Sequence, residues 1–240
     1  MENYSSLSKS SNKNIIRLPS PEGICCFTTF IIHDQPADRS DDILPCNIVL
    51  PKQTHSLNVA IVSDGNEILE DTDAIITGTP GLSIGVRTAD CVPVILYAED
   101  IKAVAAVHAG WKGTLGGIVD VVVDRLADMG SDPRNIHATF GISICGNCYE
   151  VDNDLGERFI ENGFSKCMSY PCGEAGKPCV DLQGANTLRL IRKGVDPDYI
   201  YNNTLCTRST KDAYGNPLFY SWRRTPGISE RNITFAYLRF

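Results

Sequence analysis

The chain has 240 residues, 42% of them hydrophobic and 21% charged, with a formal net charge of −7 and a pI near 5.1. A chain of this length buries roughly 70% of its unfolded surface without disulfide staples. The acidic balance argues against nucleic acid or an anionic membrane surface as partners, and no stretch approaches the roughly 20 apolar residues of a membrane span.

Residues 1–14 read as a polar leader without the apolar core of a secretory signal. A single catalytic domain is expected over 15–240, monomeric and cytoplasmic, with its ten cysteines reduced. Runs rich in Val and Ile, bounded by Gly, Pro or Asp, predict strands at 24–32, 57–62, 74–77, 82–86, 92–98, 103–108 and 136–144. In 114–129, Leu115, Ile118, Val119, Val122, Leu126 and Met129 recur at three- and four-residue spacing and make one apolar helix face. Further helices are expected at 155–162 and at 182–193, the latter ending before Gly194. The stretches 168–179 and 207–217 read as long loops. Without regular β-α alternation, the pattern points to α+β with a mixed sheet.

Residues 88–113, TADCVPVILYAEDIKAVAAVHAGWKG, hold the chemistry. Two apolar runs flank Glu99-Asp100, too close together for a parallel crossover, so an antiparallel hairpin is expected. If it is symmetric about that turn, Cys91 and His108 face each other, roughly 4.5–5.5 Å apart at Cβ. A thiolate and an imidazole so placed can chelate one metal ion, and His55, just before a strand, offers a third ligand. The same pair also fits a cysteine hydrolase with Cys91 as nucleophile and His108 as base. A fourth protein ligand would instead make a non-catalytic zinc-binding module. His33 and His137 read as surface residues. Cys145 and Cys148 form a C-x-x-C pair that could serve a second zinc or redox site, although no second half lies nearby in sequence.

Several motifs resemble one family. KQTH (52–55), DAIIT (73–77), TADCVPV (88–94), AVHAGWKG (106–113), CYEV (148–151), DLQGAN (181–186), CT (206–207) and FYSWRR (219–224) are similar in order and spacing to the YfiH/YlmD proteins. These were once described as multicopper polyphenol oxidases or laccase-domain proteins. The resemblance implies two mixed β-sheets sandwiched between helices, and one zinc per chain on His55, Cys91 and His108. It also implies phosphorolysis of adenosine, inosine, guanosine and methylthioadenosine, with some deamination of adenosine. Two departures stand out: Phe30 occupies the place of an early arginine in FTTFIIHDQP (27–36), and the C-terminal element reads ISER, with Arg231 in its arginine position.

With two imidazoles and one thiolate, zinc keeps a position for water or a substrate oxygen. Four histidines are too few for a multicopper oxidase, so copper is the less favoured metal. The partners implied are purine nucleosides and phosphate. Phosphorolysis requires anion contacts, for which Arg87, Arg223 and Arg231 are candidates. Lys112 and the amides around Gly110 and Gly113 form an alternative anion site at a helix start. Asp73 and Glu150 are candidates to orient a ligand histidine or the ribose, and Trp111 to stack on the base.

Overall fold

A computed structural model describes residues 15–31, 48–172 and 176–239. The leader, His33 and Cys46 lie outside these ranges. In chain order the strands are β1 (Ile15–Arg17), β2 (Ile24–Thr29), β3 (Ile48–Val49), β4 (Val59–Ile61), β5 (Ala74–Thr77), β6 (Ser83–Thr88), β7 (Val92–Ala98), β8 (Ala103–Ala109), β9 (Ile136–Phe140), β10 (Met168–Cys172), β11 (Lys177–Val180), β12 (Ile200–Tyr201) and β13 (Asn232–Leu238). The helices are α1 (Trp111–Gly116), α2 (Ile118–Asp128), α3 (Asn153–Glu161) and α4 (Leu182–Arg192).

The class is α+β. A five-stranded sheet runs β1-β2-β13-β6-β3 and a six-stranded sheet runs β12-β9-β7-β8-β5-β4. Both are mixed: β3 lies parallel to β6, β4 to β5 and β12 to β9, and the other pairs are antiparallel. The period-2 alternation of side chains explains the layers. In β7, Val94 and Leu96 point to one core while Ile95 and Tyr97 point to the other. The first core lies under the helices, where Val119, Val122 and Leu126 of α2 and Ala185 and Leu190 of α4 pack. The second lies between the sheets, closed by Ile84, Val86, Ala236 and Leu238. Fully buried aliphatic residues of this size contribute roughly 1.5–3 kcal/mol each.

The predicted helix at 114–129 is two helices. It begins earlier, at Trp111, and breaks at Gly117, whose φ of 84° suits a residue without a side chain. The break has a partner: Arg189 of α4 donates from Nε to the Thr114 carbonyl at 2.6 Å and from Nη2 to that of Leu115, satisfying the end of α1, and pairs with Asp120.

The hairpin register differs from a symmetric one. Ala98 pairs with Ala103 and Pro93 with His108, so the turn is four residues long and Cys91 falls beyond the ladder. Asp100 explains the longer turn, because its carboxylate accepts from Ser131 Oγ and the Asp132 amide at 2.8 Å each, holding the loop away from the strands. Lys102 closes it at φ 51°.

The described residues of 168–179 are mostly strand and not loop. They contain β10 and most of β11, an antiparallel pair in which Cys172 and Cys179 are joined by a disulfide with Cα atoms 5.5 Å apart. The ten cysteines are therefore not all free thiols. His137 is not a surface residue either: it is buried, stacked on Tyr199 with ring centroids 4.1 Å apart, its Nε2 3.1 Å from Glu99. No described helix is long and apolar enough to cross a membrane.

Candidate metal centre and substrate cavity

β8 delivers His108. Val104 and Ala106 of this strand face the inter-sheet core, and His108 continues that face at the strand's end, where a cavity opens. The β5–β8 register puts Ala74 opposite Val107, so Asp73 and His108 are the next pair, and the His108 amide bonds the Asp73 carbonyl at 2.8 Å. Their side chains meet as well: His108 Nδ1 lies 2.6 Å from Asp73 Oδ1, with both residues buried.

Asp73 also organises the loop that carries His55. It accepts from the amides of Thr54, His55 and Ser56 at 3.0, 3.1 and 2.8 Å, and from Ser56 Oγ at 2.8 Å. These bonds hold His55 in the left-handed region, at φ 65°. A non-glycine residue held there stores strain that often marks a functional site. Asp90, beside Cys91, is a second such residue at φ 94°, fixed by Thr207 Oγ1 and the Arg223 amide, each at 2.6 Å.

The ligand atoms of His55, Cys91 and His108 all lie within 4.8 Å of one another. Cys91 Sγ is 3.8 Å from His55 Nε2, and the two imidazoles meet edge to face with centroids 4.8 Å apart. A tetrahedral ion with Zn–S of about 2.3 Å and Zn–N of about 2.0–2.1 Å needs S and N about 3.6 Å apart. The spacing fits one ion. Gly110 sits against the group: a Cβ there would fall 2.8 Å from His55 Cδ2 and 3.0 Å from Cys91 Sγ.

The electrostatics are those of a ligand set. Burial pushes the Asp73 carboxyl up, but bonds from His108, Thr54 and Ser56 outweigh it and hold it below the usual range. Burial likewise raises the Cys91 thiol, and His108 and His55 more than reverse this, from 9.0 to about 6. Burial lowers His108, yet Asp73 and Cys91 raise it from 6.5 to about 9.

The surrounding cavity has a volume of about 680 Å³. Arg87, Arg223 and Arg231 line it together with Trp111. Arg223 lies over the Tyr149 ring, 5.0 Å from its centroid, and donates to the Glu150 carbonyl. Arg231 donates from Nη1 to the carbonyls of Ile228 and Glu230 at 2.7 and 2.8 Å. Glu150 itself lines a neighbouring cavity of about 310 Å³ and not the one that holds the histidines. Lys112 is exposed and outside both linings, its ammonium 5.6 Å from the Trp111 ring centroid. Gly113 is buried against Ile118, which a Cβ would approach to 3.2 Å, so this glycine serves helix packing.

Sequence reasoning passed over Asp90, Tyr149 and Trp222, all of which line the cavity. The first two lie within the TADC and CYEV motifs and the third within FYSWRR, so the motifs held the signal without the roles.

Residues 38–239 match the family model described as multi-copper polyphenol oxidoreductase laccase. Among curated proteins, the chain is 35% identical over 201 residues to "Adenosine deaminase RL5" from an unknown prokaryotic organism, covering 80% of this chain and 75% of that one. It is 34% identical over 201 residues to a protein named purine nucleoside phosphorylase from Bacteroides thetaiotaomicron, covering 79% and 72%. Among solved structures, YfiH from Bacillus licheniformis superposes with a TM-score of 0.77 at 26% identity, covering 90% of this chain and 93% of that one. With this match over most of its length, the chain belongs to the multi-copper polyphenol oxidoreductase laccase family, the family of the YfiH and YlmD proteins.

Proposed function

We propose that the chain is a zinc-dependent purine nucleoside phosphorylase, acting on adenosine, inosine, guanosine and methylthioadenosine, with a side activity as an adenosine deaminase. The observation that carries this is the three-ligand group His55, Cys91 and His108 opening on a cavity lined with both aromatic rings and arginines. The names of the relatives, phosphorylase and deaminase, point the same way.

Among the described residues no fourth His, Cys, Asp or Glu joins the group. Three protein ligands with one position left over suit catalysis more than a structural module. Zinc held there would supply Lewis-acid chemistry next to the substrate. His108 Nδ1 is taken by Asp73, which directs Nε2 to the ligand group.

The rest of the reaction falls to the cavity. Its size matches a small-molecule site, for which about 300–1,000 Å³ is usual. Trp111, Tyr149 and Trp222 offer faces for a purine, and burying a flat base there excludes water from the glycosidic bond. Phosphorolysis then needs phosphate held beside the ribose while positive charge develops on the sugar, a task of charge positioning. Arg87, Arg223 and Arg231 serve it, and Asp90 fixes the backbone of Arg223.

A cysteine-hydrolase reading retains one supporting feature, the lowered Cys91 thiol beside His108. It leaves His55, 3.8 Å from the same sulfur, without a role. A multicopper oxidase would need more imidazoles than four histidines supply: two are at the site, His137 is committed to Glu99 and Tyr199, and His33 lies outside the described residues.

The test is product chromatography with adenosine and inosine, with and without phosphate. Free base and ribose 1-phosphate are expected only when phosphate is present. Conversion of adenosine to inosine alone, indifferent to phosphate, would leave a deaminase and sink the phosphorylase reading.

A further inference from the structure

A second cluster of metal-binding atoms lies outside the cavity. The sulfur atoms of Cys145, Cys148 and Cys206 all lie within 4.8 Å of one another. Cys145 and Cys148 come from one tight turn, closed by the Cys148 and Tyr149 amides donating to the Cys145 carbonyl at 2.9 and 3.1 Å. Cys206 arrives from a distant loop, docked by a parallel bridge to Ser143 and by the Thr207 amide on the Ser143 carbonyl at 2.9 Å. A third thiol, absent near the C-x-x-C pair in sequence, is thus supplied by the fold.

Hydrogen-bond donors surround the cluster. The Cys145 amide donates to Cys206 Sγ at 3.3 Å, and Cys206 is buried. Two guanidinium groups border the cluster: Arg208 donates to the Cys148 carbonyl at 3.1 Å, and Arg224 to the Thr207 carbonyl at 2.8 Å. Each brings a positive charge to a loop that bears one of the three thiols. A tetrahedral ion with Zn–S of about 2.3 Å separates its sulfurs by about 3.8 Å, which lies within the 4.8 Å that bounds this cluster. Elsewhere in the same structure Cys172 and Cys179 are joined as a disulfide, whereas these three remain thiols. Three mutually close thiols cannot all be satisfied by one disulfide, but one cation satisfies all of them.

We propose that Cys145, Cys148 and Cys206 form a second metal site, a three-thiolate seat for one thiophilic d10 cation, with zinc(II) as the probe. Soft thiolate donors select zinc(II) or copper(I) over harder cations. The site clamps two loops that both reach Asp90. The Ile144 amide donates to the Asp90 carbonyl at 3.0 Å, and Thr207 Oγ1 to its carboxylate at 2.6 Å. A cation there therefore steadies the residue that precedes Cys91 and holds the Arg223 backbone.

The experiment is elemental analysis of the full chain purified without chelator, reading zinc and copper together. About two thiophilic ions per chain are expected in the wild type. About one should remain in Cys145→Ser/Cys206→Ser and about one in His55→Ala/His108→Ala, which separates this site from the catalytic one. One ion in the wild type and none in the histidine variant overturns the proposal, as does a Cys145–Cys206 disulfide in the native protein. If the cysteine variant does not fold, alkylation of the folded wild type decides instead. Cys145 and Cys148, the two partly exposed thiols, should react with iodoacetamide only after a chelator is added; rapid labelling without chelator, or protection that a chelator does not relieve, overturns the site.

Discussion

His108 and Asp73 are joined twice, by the main-chain bond at 2.8 Å and by the Nδ1–Oδ1 contact at 2.6 Å. The carboxylate fixes the ring's rotation and keeps its proton on Nδ1, so Nε2 faces His55 and Cys91. Because Asp73 also accepts from Thr54, His55 and Ser56, one side chain sets two ligands. Asp73→Ala should therefore weaken zinc binding by about 10–100-fold. It should also cost about 3–5 kcal/mol of stability, since buried donors lose their charged partner. Chelator competition and urea unfolding measure the two effects, and unchanged zinc affinity would refute the orienting role.

The raised His108 predicts how the chelated protein responds to pH. A folded pKa moved from 6.5 up to about 9 gives stability that is full below about pH 6.5. That stability is lost as pH rises through about 9. Zinc binds only the neutral ring, so loading near pH 7.5 should release about one proton per chain, and affinity should climb towards pH 9. Below about pH 6, protonation of Cys91 should weaken binding further. Titration in weakly buffered solution reads the proton, and loading that releases none near pH 7.5 would refute the charged His108.

The parts of the fold with a clean period were legible. Val92–Ala98 and Ala74–Thr77 are strands with the expected ends, and the Leu182 helix stops one residue early. Asn232–Leu238, a central strand, is not flagged by an apolar pattern because its inner face carries Asn232 and Thr234, which hydrogen bond to Thr88 and Thr28 within the sheet. Met168–Cys172 carries Pro171 and Cys172, which read as loop residues. At the site, the motifs singled out His55, Cys91 and His108, which the fold does bring within 4.8 Å of one another, but the route was not readable. The symmetric hairpin would place Cys91 opposite His108, whereas the true register sets it beside Gly110, and proximity comes from the turn into α1. No local rule could foresee that Asp100 would lengthen the turn by capping a segment beyond α2.

Gly110 offers a test that leaves every ligand in place. A Cβ at this position would fall 2.8 Å from His55 Cδ2 and 3.0 Å from Cys91 Sγ, closer than packed atoms sit. Its φ of −74° is ordinary, so Gly110→Ala strains contacts and not the backbone. The variant should fold with a wild-type circular dichroism spectrum yet bind zinc at least about 10-fold more weakly, by analogy with the loss of a supporting residue. Wild-type affinity would mean that the ligands move aside freely.

Phosphate should be held by the arginines, and chiefly by Arg87. All three line the cavity, but Arg231 spends Nη1 on two carbonyls and Arg223 donates to Glu150 while covering Tyr149. The Arg87 main chain is pinned at both ends by Gln53, its amide to Oε1 at 2.9 Å and its carbonyl from Nε2 at 2.8 Å. That leaves a fixed root and an exposed guanidinium with no protein partner among the described residues, pre-organised for an anion. Removing a charge-assisted bidentate contact costs about 1.5–3 kcal/mol, or roughly 10–150-fold. Arg87→Ala should therefore raise the KM for phosphate by that factor while leaving the zinc content and the KM for nucleoside near wild type. Lys112→Ala should change neither, because its ammonium lies over Trp111 outside the cavity. The reverse pattern, with Lys112→Ala impaired and Arg87→Ala intact, would move the phosphate to the start of α1.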